Sequence, residues 1–451
     1  MNRPLKAALL LISILFYRCS DDQKLVIPDQ IDEGTVSFKN VNIVSVTDGQ
    51  IISNQTVVIS NGQITSISGN QEAEIPENAE IIKGNGNEFL MPGMIDAHTH
   101  IFKDEPQIMA DNMFLLLANG VTTIRMMAGG AEREALINEV KNGNVPGPNV
   151  FVSSAILNDS PDVPGLHDPE EARNLVREIV DSGVDLIKVY TFLDPDVYFA
   201  IMDEAAKLGI QASGHVPHEI TFKQAVDAGQ RTFEHLWGIA HDASKTDDPL
   251  AVFSQQLDRS IVTDLLTYAR DNGRWITPTI FAEVLSKSDV QKIRLSEEYR
   301  YISPVIKQNW ANGPLQGLDD PTQAITNVNL ILTEIFNTDT KMIIGTDMNV
   351  RYQLPGFSYQ WELDYMSDLG ITSLDILQAA TINGASAMQD NTNFGTIEVG
   401  KQADLLLLKV NPLISIPNIK EQSLGVMVKG IWYSQQYLND KLEDIAESYL
   451  N

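Results

Sequence analysis

The sequence has little cysteine and few basic residues for its length. One cysteine, Cys19, occurs in 451 residues, so no disulfide can form within one chain, which argues against a redox role. The 32 Lys and Arg residues against 60 Asp and Glu residues leave a net charge of −28. Nucleic-acid binding requires a basic surface, and this balance argues against that class of partner. The hydrophobic content of 43% is typical of a globular protein with a sizeable core.

The N-terminal segment lacks an apolar run long enough to cross a membrane. A basic stretch with Arg3 and Lys6 precedes the short apolar run from Ala7 to Tyr17, which predicts an export signal over residues 1–18. Cys19 lies two residues after this run and is followed by the acidic residues Asp21 and Asp22, and this arrangement resembles the signal of bacterial surface lipoproteins. The resemblance implies a lipid anchor at Cys19 and a location in the cell envelope, anchored to the outer membrane in the periplasm or at the cell surface. The polar, proline-containing residues that follow predict a flexible tether over residues 19–34. The alternative is a secreted or periplasmic protein that loses Cys19 with its signal.

Short β-rich segments occur at both ends of the remaining chain. Asn61-Gly62 lies between two runs of β-branched residues, which is a strong hairpin signal. After Phe394 the chain returns to β character through Leu405–Leu408 and Val426–Trp432. We therefore predict a small composite β-sandwich built from residues 35–88 and 393–440.

From Met94 onward the sequence alternates strand and helix patterns, which favours a parallel α/β architecture. Eight strands fit the number of a (β/α)8 TIM barrel over residues 89–392, in the α/β class. The predicted strands are Gly93–His98, Val121–Met126, Asn149–Ala155, Asp185–Tyr190, Ile210–His215, Arg231–His235, Trp275–Ile280 and Lys341–Asp347. Two long inserts, 237–273 and 281–338, are expected to cap the substrate pocket. A helix is expected from Ser373 to Met388, with Ser373 as its N-cap.

Two histidines end the first strand of this barrel. His98 and His100 are separated by one residue, so on a strand both side chains point to the same side. That geometry suits one metal ion held between two imidazoles, although a shared solvent face is the simpler explanation of this motif alone. Further polar residues lie at or near the ends of later strands, where barrel enzymes gather catalytic side chains. These residues are Lys188, His215, His235 and Asp347.

The motifs together resemble the amidohydrolase superfamily, in the branch of imidazolonepropionase-related and dipeptidase-like hydrolases. They are Pro92-Gly93-Met94-Ile95-Asp96-Ala97-His98-Thr99-His100, Gly183–Lys188, Gly214-His215-Val216-Pro217, Glu234-His235, Gly345-Thr346-Asp347 and Gly400–Leu405. The resemblance implies that His98, His100 and Asp347 hold one metal ion and that His215 and His235 hold a second. It also implies a carboxylated Lys188 bridging the two ions. Zinc suits these ligands best, with manganese, cobalt or iron as alternatives.

The implied activity is hydrolysis of a C–N amide bond by a metal-bridging hydroxide, in a dipeptide, an N-acyl amino acid or a cyclic amide. Asp347 would accept the proton of the attacking water, while His218 and Tyr190 are candidates for polarising the carbonyl. Arg351 is a weaker candidate for binding a substrate carboxylate. His167 and His241 have no metal-ligand context in the sequence and are interpreted as loop residues.

Three other functions remain open at this point. A one-metal deaminase of the same superfamily places Glu three residues after the fifth-strand histidine, whereas this chain has His218 there. A lactonase would use the same scaffold. A non-catalytic surface-binding lipoprotein would not need the six metal positions, all of which are present. The expected partner is a small-molecule amide substrate, and a homo-oligomer is possible.

Overall fold

The computed structural model describes residues 30–31, 34–101, 105–129, 131–159, 166–244, 253–282, 290–312, 321–416 and 419–450. The predicted signal, Cys19 and all of the tether except 30–31 and Gly34 lie outside the described residues, so the lipid anchor and the envelope location stay predictions. In the described part of the chain, every helix is too short or too polar to span a bilayer.

The described strands form two sheets. In chain order they are β1 Gln30–Ile31, β2 Thr35–Val44, β3 Ile51–Ser60, β4 Gln63–Gly69, β5 Glu80–Lys83, β6 Phe89–Pro92, β7 Met94–Thr99, β8 Val121–Met126, β9 Asn149–Leu157, β10 Leu186–Val189, β11 Gln211–Gly214, β12 Thr232–Glu234, β13 Trp275–Thr277, β14 Lys341–Met342, β15 Leu405–Leu408, β16 Ser423–Val428 and β17 Ile431–Ser434. Strands β7 to β14 are parallel neighbours in chain order. They correspond to the eight strands predicted from the sequence, and the α/β barrel fold is confirmed.

Hydrogen bonds close this sheet into a barrel. The segment after β14 runs beside β7, where the Ala97 N–H donates to the Ile344 carbonyl and the Asp347 N–H donates to the His98 carbonyl, both at 2.8 Å. Gly345 permits this approach, since a Cβ atom there would lie 2.7 Å from the Cβ of His98. Closure therefore brings Asp347 beside the two histidines of the first strand.

Helices follow most barrel strands. The described helices are α1 Pro106–Ala118, α2 Ala131–Lys141, α3 Pro169–Asp181, α4 Pro195–Leu208, α5 Phe222–Asp227, α6 Trp237–Ser244, α7 Arg259–Asp271, α8 Val290–Leu295, α9 Pro304–Asn312, α10 Pro321–Asn337, α11 Phe357–Asp368, α12 Ser373–Ala380, α13 Ile382–Ala387 and α14 Gln435–Ser448, with a 3-10 helix at Glu297–Tyr301. Asp168 caps α3 through its side chain, and Gly209 ends α4 in the left-handed conformation.

The helix predicted from Ser373 to Met388 is interrupted. Thr381, with φ −134° and ψ −93°, separates α12 from α13. Thr372, one residue before the predicted cap, accepts the hydrogen bond from the Asp375 N–H. The prediction of one continuous helix capped by Ser373 is therefore wrong.

The other strands form a nine-stranded sheet in the order β1-β17-β16-β15-β6-β2-β3-β4, with β5 paired to β2. Strands from both ends of the chain thus share one sheet, as expected. The Asn61-Gly62 hairpin joins β3 to β4 with φ values of 51° and 75°, as a type I′ turn requires. The sheet also includes β1 and β6, which lie beyond the boundaries expected from the sequence. The exact division into domains stays a prediction.

Candidate metal centre

The residues predicted to bind metal meet at one end of the barrel. His98 and His100 come from the end of β7, and Asp347 follows β14. Their ligand atoms lie within 4.8 Å of one another. Oδ1 of Asp347 lies 2.8 Å from Nε2 of His100 and 3.4 Å from Nε2 of His98. Two imidazoles and a carboxylate are a donor set that suits a divalent transition metal.

His215 and His235 lie beside this group. The ring of His235 is centred 4.9 Å from that of His98 and 4.6 Å from that of His215. His235 has φ 64° and Asp347 has φ 56°, left-handed backbone that costs energy in residues with a Cβ atom and recurs at functional sites. The fold therefore gathers four histidines and one aspartate in one place.

Hydrogen bonds at Nδ1 orient three of these imidazoles. Nδ1 of His98 lies 2.7 Å from Glu234, that of His215 lies 2.8 Å from Thr191, and that of His235 lies 2.6 Å from Thr279. Nε2 is then the nitrogen that each ring would offer to a metal ion. Metal-bound histidines in proteins are usually held in this way. The residues present therefore fit a metal centre.

Lys188 is fully buried in β10. Its Nζ has no hydrogen-bond partner within the described part of the chain. Burial lowers the pKa of Lys188 to about 8, although Glu234 and Asp347 oppose the shift. At pH 8 roughly half of this amine is therefore uncharged, and an uncharged amine can react with carbon dioxide.

Two of these histidines, His98 and His215, have lowered pKa values that favour the neutral imidazole. Burial, followed by the charge of Lys188, holds the pKa values of His98 and His215 well below the usual histidine value. For Asp347, burial alone would raise the pKa. The hydrogen bond with His100 and the neighbouring histidines outweigh that effect and keep the pKa well below its ordinary value. Neutral imidazoles and an ionised carboxylate are the forms that bind metal.

Tyr190 and His218 lie in the wall of a cavity of about 340 Å³ that opens onto His215, His235 and Asp347. The Tyr190 ring is centred 4.0 Å from that of His215. The His218 N–H donates to the Thr191 carbonyl at 3.0 Å. Both predicted catalytic residues thus lie beside the predicted metal ligands, which we call the metal group (His98, His100, His215, His235 and Asp347). Their roles stay predictions.

Residues 89–433 match the sequence pattern of the amidohydrolase family. This chain belongs to that family. The predicted enzyme class, a hydrolase acting on C–N bonds, is confirmed.

Other known proteins resemble this amidohydrolase over most of its length. Ochratoxinase of Aspergillus niger is 23% identical over 459 residues, covering 86% of this chain and 84% of that protein. A 5-methylthioadenosine/S-adenosylhomocysteine deaminase of Thermoanaerobacter pseudethanolicus is 21% identical over 391 residues, covering 83% and 85%. A solved structure of a Xaa-Pro dipeptidase with bound methionine superposes with a TM-score of 0.67 at 19% identity, covering 89% and 100%. That structural likeness shows the fold.

Sequence reasoning missed a buried ion pair behind the metal group of this amidohydrolase. Arg125, fully buried in β8, donates from Nη2 to Glu234 at 2.7 Å and from Nε to the Ala97 carbonyl at 2.6 Å. The other oxygen of Glu234 contacts Nδ1 of His98. Arg125 stands in a strand whose residues are all buried, and a charged residue in such a strand is a signal that could have indicated this pair.

Asp96, two residues before His98 in β7, contacts the residue that precedes Asp347. Its carboxylate accepts hydrogen bonds from the Thr346 hydroxyl at 2.6 Å and from the Thr346 N–H at 3.0 Å. Burial raises the pKa of Asp96 to about 7 despite these bonds. The contacts tie β7 to the turn that carries Asp347.

The structure also places three residues to which the sequence gave a weak role or none, namely His241, His167 and Arg351. His241 lies in α6 and lines the cavity with Trp237, so its interpretation as a loop residue is wrong. His167 lies 2.9 Å from Asp159, and these two with Asp194 form a second, largely exposed group of possible ligands. Arg351 is partly buried and follows Val350 of the cavity wall, but it is not itself among the described lining residues.

The long inserts also differ from each other. Trp237, Gly238 and His241 of the first insert line the cavity, as expected of a cap. No described residue of the second insert lines it. Two of its aromatic residues pack instead against the chain that follows Asp347, with Tyr301 stacked on Phe357 and Trp310 against Tyr352.

Thr191→Val is expected to weaken metal binding by about 10- to 100-fold, since the hydrogen bond that orients His215 is lost while the shape is kept. Competition with a chromogenic chelator measures the affinity. Thr191→Ser restores the hydroxyl and should retain near wild-type affinity. Equal affinities for the Val and Ser variants would contradict the proposed orientation of His215.

Proposed function

We propose that this protein is a two-metal amidohydrolase that cleaves an amide bond of a dipeptide, an N-acyl amino acid or a cyclic amide. The observation that carries the proposal is the buried Lys188 amine, which has no hydrogen-bond partner in the described part of the chain and interacts electrostatically with His98, His215 and Asp347. A charged ammonium has no lone pair and cannot bind a cation. Reaction of the neutral amine with carbon dioxide, with loss of a proton, would give a carbamate whose two oxygens share one negative charge and could serve as metal ligands.

The residues divide into two groups of ligands. His98, His100 and Asp347 would hold one ion, while His215 and His235 would hold the other. Zinc is the proposed metal, because imidazole and oxygen donors suit it. When bound, the metal ions supply Lewis acidity toward the scissile carbonyl and lower the pKa of a water molecule.

Side chains of the protein would transfer the proton and hydrogen-bond the substrate carbonyl. Asp347, ionised because of its low pKa, accepts the proton of the attacking water and passes it to the leaving nitrogen. The C–N bond breaks, water supplies the new C–O bond, and the products are a carboxylate and an amine. His218 and Tyr190, in the cavity wall, would hydrogen-bond the substrate carbonyl.

Metal content and hydrolysis test this proposal together. Protein prepared with zinc and bicarbonate should contain about two ions per chain and hydrolyse members of a dipeptide and N-acyl amino acid library. Lys188→Ala should lose at least one ion and about 100-fold or more in kcat/KM, because the ligand that joins the ions is gone. Added acetate, which can occupy the vacated space as a carboxylate, should restore part of the activity.

Lys223→Ala is the matched control, because Lys223 forms an exposed ion pair with Asp264. It should keep the wild-type metal content and activity. A wild-type protein that contains no metal, or a Lys188→Ala variant with full activity, would overturn the proposal. Release of ammonia from purines without amide hydrolysis would favour a deaminase instead.

A further inference from the structure

The cavity beside the metal group has a strongly apolar wall. Phe192, Ile220 and Trp237 contribute large apolar side chains to it. Phe192 is 52% exposed although it is a large aromatic residue. Covering such a surface with an apolar group is favourable by about 25 cal/mol per Å². The cavity volume of about 340 Å³ lies in the usual range of small-molecule sites.

Two contacts hold this wall in place. Trp237 packs edge-on against Phe253, with ring centroids 5.6 Å apart and an interplanar angle of 84°. The Phe192 ring is centred 5.1 Å from the His218 ring. Rigid aromatic walls favour ligands that match their shape, because few side-chain rotamers are lost on binding.

The same wall carries little positive charge. No described lysine or arginine side chain lines the cavity. The titratable residues of the wall outside the predicted metal ligands are Tyr190, His218 and His241. Burial, assisted by His241, lowers the pKa of His218, so its ring is neutral at neutral pH. Apart from the proposed metal ions, the described wall offers a substrate carboxylate no fixed cationic partner, and the net charge of −28 repels anions over a longer range.

We infer that this cavity binds a neutral, bulky apolar group of the substrate, an aromatic ring or a branched aliphatic chain, on one side of the scissile amide. Phe192 and Trp237 are the residues that determine this specificity. The inference rests on the proposed function, since it names the substrate class of the same site. Amides that present a charged group to this cavity are poor substrates.

A graded substrate series tests the inference. The substrates are N-acyl amino acid amides, and the bond that is assayed joins the acyl group to the amino-acid nitrogen. Gly, Ala, Leu, Phe, Asp and Lys side chains vary the amine side of this bond, and acetyl, isovaleryl and benzoyl groups vary the acyl side. In one of the two series, kcat/KM should rise by about 100-fold from the smallest to the largest apolar group. Leu should exceed the similarly sized Asp by at least about tenfold, because burying an unpaired charge is costly.

Two phenylalanine variants form a matched pair. Phe192→Ala should reduce the ratio of kcat/KM for large over small apolar groups by about tenfold. Phe199→Ala removes an equally large, partly exposed ring from α4 that is not in the described cavity wall, and the ratio should not change. Equal ratios in the wild type and in Phe192→Ala, or a preference for charged groups, would overturn the inference while amide hydrolysis still stands.

Binding of benzamide, a neutral aromatic amide, separates this inference from the proposed function. Calorimetric titration should show binding to the wild type and to Phe199→Ala, and about tenfold weaker binding to Phe192→Ala. This pattern in a protein that hydrolyses no amide would support the cavity assignment and overturn the proposed activity. Equal benzamide affinities in all three proteins would overturn the cavity assignment.

Discussion

Asp347→Asn is expected to lower kcat for amide hydrolysis by about 10³-fold or more. The substitution keeps an oxygen that can bind metal but removes the group that accepts the proton of the attacking water, and such a group contributes roughly 10²- to 10⁴-fold. In the structure Asp347 is buried beside His98 and His100, and its lowered pKa keeps it ionised. Steady-state kinetics with parallel metal analysis measures both consequences.

Asp264→Asn provides the control for this experiment. Asp264 is an exposed aspartate paired with Lys223, and its replacement should leave kcat within about twofold of the wild type. Full metal content together with kcat within tenfold of the wild type in Asp347→Asn would contradict the role of Asp347 in proton transfer. Loss of metal with loss of activity would instead restrict Asp347 to metal binding.

Arg125→Met should destabilise the protein by about 3–5 kcal/mol, because it leaves Glu234 as a buried carboxylate without its cationic partner. Arg125 also donates to the Ala97 carbonyl and to the Thr232 hydroxyl, and both acceptors would lose a donor. Glu234 would no longer be held against Nδ1 of His98, so metal affinity should fall as well. Urea denaturation and chelator competition measure the two effects.

Lys223→Met breaks an exposed ion pair and should cost no more than about 1 kcal/mol. The double variant Arg125→Met with Glu234→Gln removes both buried charges and should recover part of the lost stability. A cost below about 1 kcal/mol for Arg125→Met alone would show that the buried pair does not support the barrel at this position.

The positions of the barrel strands were predicted accurately from the sequence where the hydrophobic pattern is strong. All eight barrel strands begin within one residue of their predicted positions, because buried parallel strands are apolar runs bounded by turn residues. The strand ends were less accurate. Those predicted to reach Ile280 and Asp347 end at Thr277 and Met342, since the chain leaves the regular ladder where it builds the site. The cap of α12 was displaced by one residue, because Thr372 and Ser373 are both suitable cap residues.

Some residues of the site could be predicted from local sequence patterns, whereas others could be identified only from their contacts in the folded protein. His98 and His100 could be paired from their spacing alone, and the predicted strand ends added Lys188, His215, His235 and Asp347, to which the family resemblance then gave roles. Thr191 and Thr279 could not be recognised, because a hydroxyl that orients an imidazole has no sequence pattern of its own. His241 was missed for a similar reason, since only the packing of α6 brings it into the cavity wall.

The sequence by itself indicated the barrel order, the candidate metal ligands and the family of this protein, because these depend on periodicity and on motifs with fixed spacing. The tertiary structure decided which groups support that chemistry. Arg125 and Glu234 are 109 positions apart, and Asp96 and Thr346 are 250 apart. These pairs meet only when the barrel closes, and burial then shifts the pKa values of Asp96 and Lys188. The apolar cavity also exists only after closure, since its walls come from separate strands and from α6.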